Sequence, residues 1–163
     1  MDGIDSVDRG ILDLLQHNAR TSNAEIARRI GMAPSAVLER IRKLEERGIL
    51  EGYAARLNAP GLGQGLLAFV FVRSDERAGE SVAASQLAAL PEVQEVHHVA
   101  GEDCYLVKVR VADTEALGRV LREKFGAIPS VRSTRTTIVL ETIKETTALP
   151  LNPPPGGVGE AGV

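Results

Sequence analysis

The sequence predicts an α+β protein, a helix-turn-helix unit joined to a ferredoxin-like βαββαβ domain. Three observations predict it. Apolar residues recur at helical spacing through the first third of the chain, a Gly/Pro-rich stretch follows, and beyond Leu66 strand-like and helix-like patterns alternate. The expected divisions are residues 1–50 for the helical unit, 51–65 for a linking strand and linker, 66–148 for the second domain and 149–163 for a disordered tail. A chain of 163 residues suits two small domains.

Ile4, Val7, Ile11, Leu14 and Leu15 place a first helix after Asp5, which caps it, and end it near Asn18. Ser22-Asn-Ala-Glu25 reads as a capping box opening a second helix that runs to about Ile30. Gly31 follows, where a left-handed residue costs least. Pro34 starts a third helix that runs to about Arg47, with Val37, Ile41 and Leu44 as its apolar stripe. Helix, short turn and helix, braced by a preceding helix, outline a helix-turn-helix.

Ile49 to Leu57 reads as extended, and Asn58 to Gly65 as linker. The second domain then runs strand Leu66–Arg73, a helix on Ala83, Leu87 and Leu90, strands Val93–Val99 and Tyr105–Val111, a helix on Leu117, Val120, Leu121 and Phe125, and a strand Val131–Ile143. That order is the split βαβ unit. Leu66 to Val72 is apolar at every position, so both faces of this strand need cover, and a second copy of the chain is the expected cover on one of them. The tail from Leu149 is Pro/Gly-rich with few large apolar residues, the composition of a disordered segment.

The composition narrows the function classes. A net charge of −3 argues against bulk polyanion binding, and an aromatic content of 3% without Trp argues against a stacking platform for single strands. Cys104 is the only cysteine, which excludes an intramolecular disulfide. No apolar run approaches the ~20 residues of a membrane span. Met1-Asp-Gly-Ile-Asp5 is acidic and lacks a signal-peptide core, so a cytoplasmic, membrane-free protein is expected. No phosphate loop, activated nucleophile or metal-ligand cluster is found, so no catalytic residue, metal or cofactor is expected. His97 and His98 are neighbours on a strand, point to opposite faces and cannot pair on one metal.

Charge is uneven along the chain. Arg20, Arg28, Arg29, Arg40, Arg42, Lys43 and Arg47 outweigh Glu25, Glu39, Glu45 and Glu46 over residues 20–47, against an acidic first helix. On the third helix, Ser35, Glu39, Arg42 and Glu46 point away from the core, with Ala36, Arg40 and Lys43 on the flanks. Such a helix suits the major groove of duplex DNA. Ser35 and Glu39 would read bases, Arg42 would reach a base edge or phosphate, and Arg40 and Lys43 would hold the backbone beside Ala36. Arg28 and Arg29 would add phosphate contacts. The opposing reading is a salt-bridged surface built on Glu39–Lys43 and Arg42–Glu46 at i,i+4.

Taken in order, the motifs resemble the Lrp/AsnC (feast/famine) family of transcription regulators. They are Asp5-Ser-Val-Asp8-Arg-Gly-Ile11-Leu12, Leu15-Gln-His-Asn18-Ala-Arg20, Glu25-Ile-Ala27, Pro34-Ser-Ala-Val37 and Arg40-Ile-Arg-Lys-Leu44-Glu-Glu-Arg-Gly48-Ile49. Gly52-Tyr53, Leu62-Gly63, Pro91-Glu-Val93, Gly101-Glu-Asp-Cys-Tyr105-Leu106 and Thr134-Arg-Thr136-Thr-Ile-Val139-Leu140 continue the likeness, which spans about residues 4–150. The resemblance implies a winged-type helix-turn-helix, dimers that assemble into tetramers or octamers, and an amino acid or related small-molecule effector bound between dimers. It nominates Val99, Ala100, Gly101, Asp103, Cys104, Thr134 and Thr136 as effector residues.

The chain departs from the family pattern twice. Ala33 stands where the family often has a capping Ser. The family's loop acid falls at Cys104, with the carboxylate one place earlier at Asp103. The rival functions are an architectural DNA-organising protein whose second domain only oligomerises, and a ferredoxin-like metabolic enzyme subunit.

Overall fold

The computed structural model describes residues 3–76 and 80–151. They form two compact units, one running to Arg56 and resumed from Glu145, the other Leu57–Lys144.

The first unit holds three helices, α1 Ser6–His17, α2 Asn23–Ile30 and α3 Pro34–Glu46. Their starts follow from local chemistry. Asp5 caps α1 in a reciprocal box with Asp8: the Asp8 amide donates to Asp5 Oδ1 at 2.7 Å and the Asp5 amide to Asp8 Oδ2 at 3.4 Å. The Ser22 hydroxyl accepts from the Glu25 amide at 3.2 Å. The expected return bond from Glu25 is absent because two arginines hold its carboxylate. α3 starts without a side-chain cap at Ala33 and relies on Pro34 at its first position. Gly31, at φ 72°, ends α2, and the Met32 amide donates to the Ala27 carbonyl at 2.9 Å, which reverses the chain into the turn. Ile11, Ile26, Ala27, Val37 and Leu44 are essentially inaccessible and close the small core.

Two expectations for this unit are corrected. Residues 51–57 are not a strand: among the described residues no strand forms a ladder with them, and a lone extended segment has none. Among the described residues, the wing implied by the resemblance is therefore missing from the single chain. The tail does not come free at Leu149: Leu149 exchanges hydrogen bonds with Gln16 (its N–H to Oε1 at 3.0 Å, Nε2 to its carbonyl at 2.9 Å). Arg9 Nη1 donates to the Leu151 carbonyl at 2.9 Å, and Leu151 packs on the helical core. Composition hid this because backbone carbonyls serve as partners whatever the side chain. The rest of the tail lies outside the described residues.

The second unit runs β1 Leu66–Ser74, α4 Val82–Ala88, β2 Val93–His98, β3 Tyr105–Val111, α5 Thr114–Arg119 and β4 Val131–Ile138. A π-helical turn, Val120–Phe125, continues α5. The antiparallel sheet has order β2-β3-β1-β4. β4 stops short of the expected Ile143 because its partner runs out: Ala68 pairs with Ile138, the Val139 amide reaches the Leu67 carbonyl at 2.9 Å, and β1 begins at Leu66. Ala68, Val70 and Val72 are buried with Val107, Val109, Ala83, Leu87 and Phe125. Phe69 and Phe71 point the other way and remain half-buried.

Phe125 is fully buried at the end of the π-helical turn, where its ring meets the sheet core. Phe125→Ala is expected to lower stability by ~3–5 kcal/mol, read as a reduced midpoint in urea unfolding followed by circular dichroism. A loss within experimental error would show that this ring does not anchor the core.

Candidate functional site

The third helix carries the first group of candidate side chains. Ser35, Glu39, Arg42, Lys43 and Glu46 are exposed and Ala36 is half-buried, as a helix with one core stripe requires. Lys43 lies 3.7 Å from Glu39, so that pair forms. Arg42 has no ion-pair or hydrogen-bond partner among the described residues, so the salt-bridged surface is only half built.

Arg40 is placed differently from expectation. Its Nη1 donates to Asp5 Oδ2 and to Asp8 Oδ1, each at 2.7 Å. Asp8 is the buried charged residue of this unit, 8% exposed, so its carboxylate requires this partner. Arg40 therefore ties the start of α1 to the middle of α3 through Nη1, with its side chain still 31% exposed. The available sequence signal was Asp5 and Asp8 themselves, which cap α1 from the side that α3 packs against.

Arg28 and Arg29 are exposed on α2, and both grip Glu25. Arg28 Nη2 donates to Oε1 and Nε to Oε2, at 2.7 and 2.9 Å, and Arg29 Nε donates to Oε1 at 2.7 Å. Arg28 first, then Arg29, pulls the Glu25 carboxyl down to about 2. The two guanidiniums remain solvent-facing, so phosphate oxygens can reach them beside Glu25.

The effector candidates divide into a loop and a strand. Val99 to Cys104 form the β2–β3 connection, closed by the Val99 amide donating to the Cys104 carbonyl at 3.0 Å. Gly101 has φ 137°, which only glycine adopts freely, and the space above its Cα is open. Cys104 Sγ lies 3.3 Å from the Ser74 carbonyl and 3.4 Å from its amide, so the thiol is turned to the backbone of β1. Asp103 accepts from Arg135 Nη2 at 2.8 Å, and the same guanidinium sits 4.0 Å above the Phe71 ring.

Thr134 and Thr136 do not join this arrangement. They pair with Val72 and Val70, on the sheet face that the helices cover, whereas Arg135 pairs with Phe71 on the opposite face. Arg135 is the member of this loop-and-strand arrangement that sequence reasoning missed. It is the middle member of the Thr-Arg-Thr run, and strand alternation separates it from both neighbours. His97 and His98 also divide: His97 meets Glu95 at 3.2 Å, and His98 lies beside the Tyr105 ring at 5.4 Å.

Comparison with known proteins gives a consistent result. Residues 4–45 match the AsnC-type helix-turn-helix domain and residues 67–149 the Lrp/AsnC ligand binding domain. The leucine-responsive regulatory protein of Escherichia coli K12 is 39% identical over 148 residues, 90% of each chain. A transcriptional regulator from Neisseria meningitidis, solved as an L-Met complex, superposes with a TM-score of 0.84 at 33% identity, covering 92% of this chain and 98% of that one. The feast or famine regulatory protein of M. tuberculosis, complexed with L-methionine, gives 0.83 at 35% identity, covering 90% and 99%. AsnC of E. coli gives 0.83 at 32%, covering 90% and 98%.

The acidic groups of the helical unit set its response to pH. The Asp8 amide, and then the Arg40 guanidinium, hold the Asp5 carboxyl below its ordinary 3.8, and Glu25 falls from 4.5 to about 2. Both values are depressed by folding. Their contribution is therefore complete above 3.8 and 4.5 and is lost as pH falls through the folded values. The melting temperature should drop over that acid window, and Arg40→Gln should melt lower at neutral pH with a shallower acid dependence. An Arg40→Gln profile parallel to that of the parent would remove Arg40 from the account.

Proposed function

The chain belongs to the Lrp/AsnC family of transcriptional regulators, and on that premise we propose that it reads paired DNA half-sites and answers to an amino acid. It is a DNA-binding regulator, with α3 as the recognition helix. The observation that carries the sequence-reading role is the exposed outward face of α3, where Arg42 has no partner among the described residues. Ser35 and Glu39 lie on the same face and reach base edges. Lys43, Arg28 and Arg29 hold phosphates around it. Arg40 serves the fold of the reading unit and does not touch DNA.

The reading extends to assembly and effector. Two copies pair through the uncovered sheet face bearing Phe69, Phe71 and Leu106, half-buried residues that a second sheet would cover, and dimers then assemble into tetramers or octamers. The amino-acid effector binds by the Val99–Cys104 loop, in keeping with the two L-methionine complexes among the structural relatives. Asp103 and Arg135 are its charged partners there, each already paired with the other in the free chain. Binding between dimers changes the spacing of the recognition helices, which shifts DNA affinity only if the effector favours one spacing. The protein acts in the cytoplasm by binding, without a catalytic step. No helix among the described residues is long and apolar enough to cross a membrane.

Fluorescence anisotropy with the DNA upstream of the protein's own gene, against random duplex and with amino-acid pools added, tests the whole reading. Specific binding shifted by a pool is expected. Specific binding indifferent to every pool would leave an architectural role, and no DNA binding would remove the proposal. Arg42→Ala should weaken specific binding by ~1–3 kcal/mol and leave random duplex less affected. Lys43→Ala should weaken all sequences alike and lower the salt slope by about 1. Equal losses on both duplexes for Arg42→Ala would deny it a base contact.

A further inference from the structure

Ser35, Leu38, Glu39 and Arg42 are spaced i, i+3, i+4 and i+7, so their side chains run along one face of α3. All four are exposed, and three are polar. Leu38 is the exception, a large apolar side chain 48% exposed in the middle of the stripe. The core of this unit takes Val37, Ile41 and Leu44 from α3, and Leu38 is not among the residues packed against it. A single exposed leucine is ordinary on a protein surface. On the face of a helix that enters the major groove it has a specific consequence, because binding removes it from water against base edges.

The buried stripe of Val37, Ile41 and Leu44 decides which face that is. The bonds of Arg40 to Asp5 and Asp8, at the start of α1, hold one flank of α3 in addition, and the stripe from Ser35 to Arg42 is left outward. Ser35 and Arg42 offer donors there and Glu39 offers an acceptor. These polar groups can match the hydrogen-bonding edges of bases, but Leu38 can match none of them. The apolar group displayed in the major groove is the C5-methyl of thymine. An aliphatic side chain beside it gains from excluding water, whereas the polar edge of another base would be left desolvated and unpaired.

We propose that Leu38 is a specificity-determining residue that recognises the 5-methyl group of one thymine in each half-site. This inference rests on the reading of α3 as the recognition helix. Ser35, Glu39 and Arg42 provide hydrogen bonds and charge along the stripe, and Leu38 adds a selection by shape and polarity that they do not supply.

The test uses the full-length protein and a duplex that the protein itself selects from a random pool. Each thymine of the half-site is replaced in turn by deoxyuridine, which removes only the methyl group, and affinity is read by anisotropy. For the parent protein, one position should weaken binding roughly fourfold per half-site, the value for uncovering one methyl. Leu38→Ala should bind the thymine duplex more weakly and show no difference between thymine and uracil at that position. Its melting curve checks that the helix still folds, and the uracil series on the parent protein is independent of the variant. No methyl-sensitive position, or sensitivity undiminished in Leu38→Ala, would overturn the proposal. Failure to select any duplex would overturn the recognition-helix reading together with it, which separates the two failures.

Discussion

The helical unit is organised around one charge that folding removes from water. Asp8 is nearly inaccessible, and a carboxylate in that position must be paired or destabilise the unit. Arg40 meets that need with the same Nη1 that reaches Asp5, so a single guanidinium joins the capping box of α1 to the middle of α3. Deleting the cation would leave the acid uncompensated. The consequence for function is indirect. Val37, Ile41 and Leu44 turn one side of α3 to the core, the clamp holds one flank, and Ser35, Leu38, Glu39 and Arg42 are left outward, the face proposed to meet DNA.

Charges elsewhere on the unit are arranged more loosely. Arg28 and Arg29 share Glu25 at the solvent boundary, where an ion pair contributes little to stability and its members remain accessible. They can turn to phosphate without exposing a buried group. Among the described residues Arg42 has no such partner to leave. The unit thus combines one fixed arginine that sets geometry with peripheral arginines that remain available.

In the second unit the governing constraint is the two-residue period of a strand. β1 buries Ala68, Val70 and Val72 under the helices and turns Phe69 and Phe71 to the other face. The same alternation sends Arg135 toward Phe71 and Asp103, and Thr134 and Thr136 to the helix side. A loop carboxylate, a guanidinium and an aromatic ring therefore meet at one place on the sheet face opposite α4 and α5. The half-buried apolar face and this charged pair belong to one surface, which is why assembly and effector binding are coupled in the proposed mechanism.

The sequence by itself determined the element order, the capping residues Asp5 and Ser22, the turn at Gly31 and the core stripes of the helices, because each depends on residues within a few positions of one another. It also carried the order and spacing of motifs by which the family is recognised. Arg40 was legible as exposed and basic but not as a clamp, since its partners lie 35 and 32 positions away. Arg135 was hidden for the same reason, 32 positions from Asp103. The end of β4, the lack of a strand at residues 51–57 and the return of Leu149 to α1 were likewise decided in three dimensions. Local propensity states what a segment can form. Whether a strand has a partner, a charge has a counter-charge or a tail has a surface to lie on depends on what the rest of the chain brings beside it, and only the tertiary structure supplies that.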